Sequence, residues 1–443
     1  MNARALAAAL IAFSIPVALT AQAANRADSS STSAQTLPGM PPPPQTTGAE
    51  PGSNLTVYLL TFGWGDVVWE RFGHNAIWIK DAASGTNLTY NWGMFDFKQP
   101  HFIWRFVTGD TKYWMEPIPL APMVQYYKEN NRSILAQELN LTPAQRLELQ
   151  RFVTNNALPE NKYYRYDYYR DNCSTRLRDA IDHALGGQLQ TATVTRMTSG
   201  TYRWHTQRLL SGDLPLYTGV TLALGQPADK PLSVWQEMFL PVRMANDLRS
   251  VKITDSTGAQ IPLVRSEMAL FTAGRAPEPS APWHYLPLFV AVGILYAGVM
   301  IILVRSAEGG HRGSLFGATA LATLWSLVAG AGGLALVFAW LFTKHYFMGH
   351  NENLLHFDPL SIVLVILIPL AIYGLRGVAR ARKLAGFIAL LSLLGCVLQS
   401  LPLFDQRNGE IIGLALPINL AVWWTVYRLT AYRRTSLPSS AAL

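Results

Sequence analysis

Only two cysteines, Cys173 and Cys396, occur in the 443 residues. Cys173 lies in YYRDNCSTRLRD (168–179), directly after an Asp-Asn pair. Leu177, Ala180, Ile181, Ala184 and Leu185 follow at helical spacing, and Gly186-Gly187 then ends the run. Asp171 or Asn172 is therefore expected to cap a helix whose first turn carries the thiol. Free backbone N–H groups and the positive end of the helix dipole favour a thiolate at that place. The same N–H groups can hold the oxyanion that forms when such a nucleophile attacks a carbonyl. The nucleophile still needs a base, and the base needs an orienting group. His74, in ERFGHNAIWI, is the best base, because it opens a strand just after Gly73, where a neighbouring backbone can come close. Asn91, in TYNWG on the next strand, is the expected orienter, with Asp96 as its substitute. His101, His183 and His205 are the alternative bases, although His183 lies ten residues along the Cys173 helix and is too far away. The structural reading of each remains open. A lone helical Cys is often a small buried hydrophobe, a strand His a satisfied core residue, and an Asn after a turn only a turn residue.

The elements that must hold these residues are legible in outline. LTVYLL (55–60), HNAIWIK (74–80) and LTYNWGMFDF (88–97) read as strands, the last two joined by the turn DAASGTN. PLAPMVQYYKENN reads as a short helix and SILAQELN as a further strand. A helix is expected from about 143, with Thr142 as cap and Pro143 in the first turn. VKITDSTGAQIPLV (251–264) reads as a hairpin, and AGRAPEPSAPW as a linker.

Half the residues are hydrophobic and 14% are charged, against about 25% charged in an ordinary soluble domain. The shortage of charge falls after Tyr285. Residues 1–23 resemble a secretory signal peptide, with Arg4 before an apolar core and Ala21-Gln22-Ala23 as the cleavage pattern. Residues 24–53, rich in Ser, Thr and Pro, are expected to be a disordered tether. Residues 54–272 then form an exported domain, 273–284 a linker, 285–430 a transmembrane domain and 431–443 a tail. Five apolar segments, near 285–304, 316–342, 359–379, 385–403 and 411–428, are long enough or nearly so to span a bilayer. Arg305 and Arg312, then Arg376, Arg380, Arg382 and Lys383, then Arg428, Arg433 and Arg434 all fall on one side if the chain crosses five times. The positive-inside rule makes that side cytoplasmic, with the exported domain on the other face of a bacterial inner membrane. Membrane topology thus accounts for much of the net charge of +8, so nucleic acid is not an expected partner. The loop TKHYFMGHNENLLHFD would face the exported domain's compartment, as a hydrated connector, or as a lid or docking site for lipid head groups through His345, Asn351 and Asn353. No firm metal-ligand spacing occurs in it, and neither a metal nor a cofactor is expected.

FGHNAIWI, YNWGMFDF, YRYDYYRDNCSTRLRD and PLSVWQEMFLP, followed by a membrane half with HNENLLHFDPL, resemble the Lnb-type family from about 54 to 430. The resemblance implies an α+β, papain-like domain similar to circularly permuted NlpC/P60 folds, followed by an all-α membrane domain of about five helices. In permuted members the His precedes the Cys, as His74 precedes Cys173. It also implies lipoprotein N-acyltransferase activity, with a phospholipid as acyl donor and the diacylglyceryl-cysteine amine of a lipoprotein as acceptor. Similar enzymes of the lecithin–retinol acyltransferase type commonly have His where Asn91 stands, which is a departure. Tyr166 and Tyr169, with Tyr168, line an acyl groove, donate a hydroxyl to the oxyanion, or pack, and the sequence leaves all three readings open. The alternatives are a peptidoglycan amidase or endopeptidase using the same Cys-His pair, and a non-enzymatic envelope assembly protein.

Overall fold

The computed structural model describes residues 50–436 apart from 256. The expected signal peptide, most of the tether and the end of the tail lie outside the described residues. The chain divides into two compact units. One holds residues 50–200 with Pro231–Pro279, and the other holds Thr201–Lys230 with the membrane half from Ser280 onward. The expected continuous domain over 54–272 is thus interrupted, because 30 residues inside it pack with the helical unit.

The α+β unit is built on a seven-stranded sheet. Its strands are β1 (Leu55–Phe62), β2 (His74–Asp81), β3 (Asn87–Met94), β4 (Lys112–Pro119), β5 (Ile134–Leu139), β6 (Tyr163–Arg165) and β7 (Val264–Phe271), in the order β7-β5-β1-β2-β3-β4-β6. All six neighbouring pairs are antiparallel. Both faces are covered, so the central strands read as nearly unbroken apolar runs rather than alternating ones. On one face Val57, Leu59, Ile77 and Tyr90 pack with Leu149 and Val153 of α3 (Pro143–Asn156) and with Leu177 and Ile181 of α4 (Cys173–Ala184). On the other, Leu60, Phe62, Ala76 and Trp78 pack with Met123 and Tyr127 of α2 (Leu120–Glu129). A further short helix, α1 (Phe102–Thr108), leads into β4. Strand β3 bulges at Gly93, whose φ is 92°, and it ends at Met94, short of the expected Phe97.

In the helical unit, α5 (Tyr202–Leu210) and α6 (Leu214–Ala223) pack with α7 (Leu286–Glu308), α8 (Arg312–Phe342), α9 (Ser361–Tyr373), α10 (Val378–Leu398) and α11 (Gly409–Ser436). Among the described residues four helices, α7, α8, α10 and α11, are long and apolar enough to cross a membrane. The third expected span is shorter than anticipated: α9 has 13 residues, about 20 Å of helix. It begins late because Asp358-Pro359 breaks the chain. The small-residue cluster 329–333 fits closely here. A Cβ on Gly330 would lie 2.3 Å from the Ile362 backbone nitrogen, and one on Gly333 would lie 2.2 Å from the Phe357 carbonyl.

Candidate active site

Asn172 caps α4 through a capping box. Its side-chain oxygen accepts from the Thr175 amide at 2.9 Å, and its own amide donates to Thr175 Oγ1 at 2.8 Å. The Asn172 side chain also donates to the carbonyls of Tyr168 and Phe239. Asp171, the other expected cap, instead pairs with Arg176. The cap fixes Cys173 as the first helical residue, and Ser174 Oγ ties the helix start to β2 by donating to Asn75 Oδ1 at 2.7 Å. Asn75 is itself anchored on β1, donating to Leu60 O and Thr61 Oγ1. Backbone N–H groups of Asn75, Ser174 and Cys173 itself point at the thiol. The nucleophile candidate therefore touches the residue next to His74.

His74 opens β2 opposite Phe62 of β1. Gly73 before it has φ 75°, and a Cβ there would lie 2.8 Å from the Phe62 carbonyl. The His74 ring stacks on Phe62 at 5.8 Å, and Phe62 stacks on Tyr127 at 3.8 Å. Asn91 lies one residue beyond the last β2–β3 pair, Ile77 with Tyr90, and its Oδ1 is 3.2 Å from His74 Nε2. The Asn91 amide nitrogen donates to Thr89 O and Thr89 Oγ1, which fixes the amide's orientation. Since Oδ1 can only accept, Nε2 carries the proton and Nδ1 holds a lone pair. Nδ1 is buried and has no hydrogen-bond partner.

Electrostatics correct one expectation. The Cys173 thiol is raised to about 11 rather than lowered, because burial outweighs the three backbone N–H groups and the Arg132 charge. At 4% exposure the thiolate loses more hydration than the helix end returns. Burial likewise lowers His74 to about 4, with Arg132 lowering it further and Asn91 opposing. At rest the thiol and the imidazole are both neutral, and no hydrogen bond joins Cys173 to His74 Nδ1.

The chain matches two family descriptions, the Lnb N-terminal periplasmic domain over residues 44–211 and the Lnb transmembrane domain over residues 280–408. The chain belongs to the Lnb-type family. It is a multi-pass membrane protein with a periplasmic α+β domain. No curated protein and no solved structure matches it significantly.

In this Lnb-type chain the other expected site residues fall in different places. Tyr166 stacks on Tyr113 at 4.4 Å and belongs to the core cluster that holds Cys173. Tyr169 is buried edge-on against Phe239. Asp96, the substitute orienter, accepts from the Lys98 amide in the turn after β3. His101 is exposed with φ 57°, and His183 is exposed beside Glu148. His205 is buried in the helical unit with Arg208. The loop residues require a correction. Asn351 Nδ2 donates to the carbonyls of Leu222 and Ala223, and its Oδ1 accepts from Asn353 N and Gln406 Nε2. Asn353 Nδ2 donates to Thr221 O and Leu222 O, and its Oδ1 accepts from Asn408. These amides cap the C-terminal end of α6, so neither is open to a lipid head group. His345 is half-buried in the same loop, its backbone amide donating to Thr343 Oγ1.

Two residues near the site went unforeseen. Asn75 was hidden inside an apolar run, where a polar residue at an inward position was its one signal. Arg132 is wholly buried, with Nε donating to Gly63 O and Nη1 3.2 Å from Glu70 Oε1. Its guanidinium lies over the Tyr127 ring at 4.6 Å, and Nη2 has no hydrogen-bond partner. Nothing in ENNRS sets it apart from a surface cation, because its burial depends on Glu70 and Tyr127 arriving from elsewhere. Among the described residues no group of three His, Cys, Asp or Glu side chains could hold a metal ion.

Proposed function

We propose that Cys173 is an acyl carrier that takes a fatty acyl chain from a membrane phospholipid and delivers it to an amine, the N-terminal diacylglyceryl-cysteine of a lipoprotein. The observation that carries this reading is the unpartnered Nδ1 lone pair of His74, held in that tautomer by Asn91, with the Cys173 thiol against the amide of the adjoining Asn75. The membrane-spanning half, which keeps the periplasmic unit beside a bilayer, supplies the reason for a lipid donor. A His-bearing strand ahead of a Cys-bearing helix is the chain order of a permuted papain-like fold, and we read the periplasmic unit as one.

In the first half-reaction Cys173 Sγ attacks the ester carbonyl while its proton passes to His74 Nδ1. A neutral pair suits this concerted transfer, since no buried charge must be held at rest. Helix N-terminal amides hold the oxyanion. His74 then gives its proton to the leaving glycerol oxygen, so lysophospholipid departs and the acyl group stays on sulfur. In the second, the amine attacks the thioester, His74 removes the amine proton, and collapse expels the sulfur, which takes that proton back. Water must be excluded for amine to win.

The basic loops orient the chain with its C-terminus in the cytoplasm of an inner membrane. Arg305 with Arg312 and the cluster Arg376–Lys383 share a side only if both α8 and α9 cross. The short α9 therefore counts as the fifth span.

The deciding assay incubates the full chain with phospholipid and a diacylated lipopeptide. Mass spectrometry should find lysophospholipid, N-acyl lipopeptide and an acyl adduct on Cys173. Cleavage of muropeptides without those products would move the reading to a cell-wall hydrolase using the same pair. An intact envelope phenotype in Cys173→Ser would favour a non-enzymatic role.

A further inference from the structure

A second feature of the periplasmic unit serves neither its core nor the Cys173 site. Helix α1 turns Ile103 and Trp104 outward, 67% and 61% exposed, beside exposed Phe97. Phe97 packs edge-on against Trp69 at 5.9 Å, and Trp69 follows the exposed Val67 in the loop before β2. Large apolar side chains gathered at one place on a domain surface mark an interaction site. Underneath, Phe102 packs on Phe95, Phe97 and Phe106, so the helix is anchored while Ile103 and Trp104 stay largely exposed.

Cations border this apolar patch. A cleft of about 440 Å³ beside it is lined by Gln99, His101, Arg105, Lys112 and Tyr163, with Asp96 as its single acid. Tyr163 is flanked by Lys112 at 4.1 Å and Lys162 at 5.3 Å from its ring centre. Lys98 is exposed in the same turn. Exposed Trp and Ile with a rim of Lys, Arg and Tyr is the composition that settles at a bilayer surface and favours anionic head groups.

The path of the chain selects the bilayer as occupant. Arg275 pairs with Asp66 at 3.1 Å, and Trp64 Nε1 donates to the Ala276 carbonyl at 3.0 Å. The loop ending at Val67 and Trp69 thus grips the last residues of the periplasmic unit. From Ser280 the chain belongs to the helical unit and runs into α7, a helix long and apolar enough to cross a membrane. The apolar patch therefore borders the place where the chain leaves for the membrane.

We propose that α1 and the Val67 loop form a docking surface for an anionic bilayer, in which Phe97, Ile103 and Trp104 enter the head-group boundary and Arg105 and Lys112 hold lipid phosphates. This docking does not depend on acyl transfer by Cys173. The test uses the full chain with Cys396→Ala, carrying a nitroxide at Ile103→Cys, in nanodiscs of phosphatidylcholine with and without phosphatidylglycerol. Collision with oxygen and with a water-soluble nickel complex reads the depth of the label. The expected oxygen-to-nickel ratio at 103 in phosphatidylglycerol discs is several-fold above that of a label at Ser84→Cys in the exposed β2–β3 turn. R105Q/K112Q should abolish that excess while leaving the thermal unfolding transition in place. Equal ratios at 103 and 84 in both discs would overturn the proposal. So would a label at 103 that is shielded from both agents whatever the lipid, which would indicate a protein partner or a second copy.

Discussion

Both units bury polar side chains, and the outer loop and the Cys173 site differ in how those groups are partnered. In the helical unit Asn351, Asn353, Gln406 and Asn408 form a connected set whose donors end on backbone carbonyls at the close of α6 or on one another. In the periplasmic unit His74 is equally buried, yet Nδ1 is left without a partner, and so is Arg132 Nη2 nearby. Leaving a buried polar atom unpaired costs about 1–3 kcal/mol, a cost met in both units, since His356 Nε2 and Asn408 Oδ1 also lack a partner. Unpaired burial alone does not mark chemistry; what sets His74 apart is Asn91 on one ring nitrogen and a neighbour, Asn75, bonded to the Cys173 helix. The amides of the outer loop are spent on α6, whereas His74 Nδ1 is left for the proposed chemistry.

The largest expected break comes from the unsatisfied side. Cys173→Ala should remove both lysophospholipid and the acyl adduct, and His74→Ala should cut turnover by about 10²–10⁴, with the thermal transition close to that of the parent. Should His74→Ala retain more than a tenth of the activity, the base is another group.

The satisfied side should break differently. Asn353→Ala strands the Asn408 amide, at about 1–3 kcal/mol, while Thr221 O and Leu222 O each keep a second donor, Arg203 and Asn351. Thermal unfolding of the detergent-solubilised chain should fall accordingly, while the folded fraction keeps its activity per molecule. A large loss of turnover at unchanged stability would return the loop to the active site.

Gly333→Ala sharpens the same contrast from the backbone. Its methyl would meet the Phe357 carbonyl at 2.2 Å, so α9 and the preceding turn must shift, at about 1–3 kcal/mol. The expected readout is again stability, with faster proteolysis of the 357–361 segment. Unchanged proteolysis would mean that the segment yields without cost.

What was legible follows physical range. Asn172, Cys173 and the helix behind them are a local pattern, read from capping chemistry and apolar spacing within 15 residues. His74 came from its place at a strand start after Gly73, and Asn91 from the pairing of that strand with the next across one hairpin, also short range. Strand β4 was missed because KYWMEPIP, with two prolines near its end, lacks a clean alternation. Strand β7 was missed because it closes a sheet edge whose partner, β5, is more than 120 residues away. The thiol's raised pKa was misjudged for the same reason. A helix end is visible in sequence, whereas the apolar core that buries it, drawn from β1, β2, β3 and β4, converges only in the fold.

The smallest effect is the pH dependence, and its sign follows from burial. His74 is lowered from 6.5 to about 4, so between those values the unfolded chain binds a proton that the folded one refuses. Stability from this group is complete above pH 6.5 and falls as pH drops toward 4. Cys173 is raised from 9.0 to about 11, so between those values the unfolded chain has lost a proton that the folded one keeps, and stability falls as pH rises. The pair together gives a plateau between about 6.5 and 9 with a shoulder on each side. Cys173→Ser should shrink the alkaline shoulder, to which buried tyrosines such as Tyr126 also contribute, and His74→Gln should shrink the acidic one, which His356 shares. Alkylation of Cys173 in a Cys396→Ala background gives a second reading. Its rate at neutral pH should be low and should climb through pH 9 toward 11, since only thiolate reacts. A rate already at its maximum at pH 7 would mean that the thiol rests as a thiolate beside imidazolium, and the first half-reaction would then begin from the charged pair.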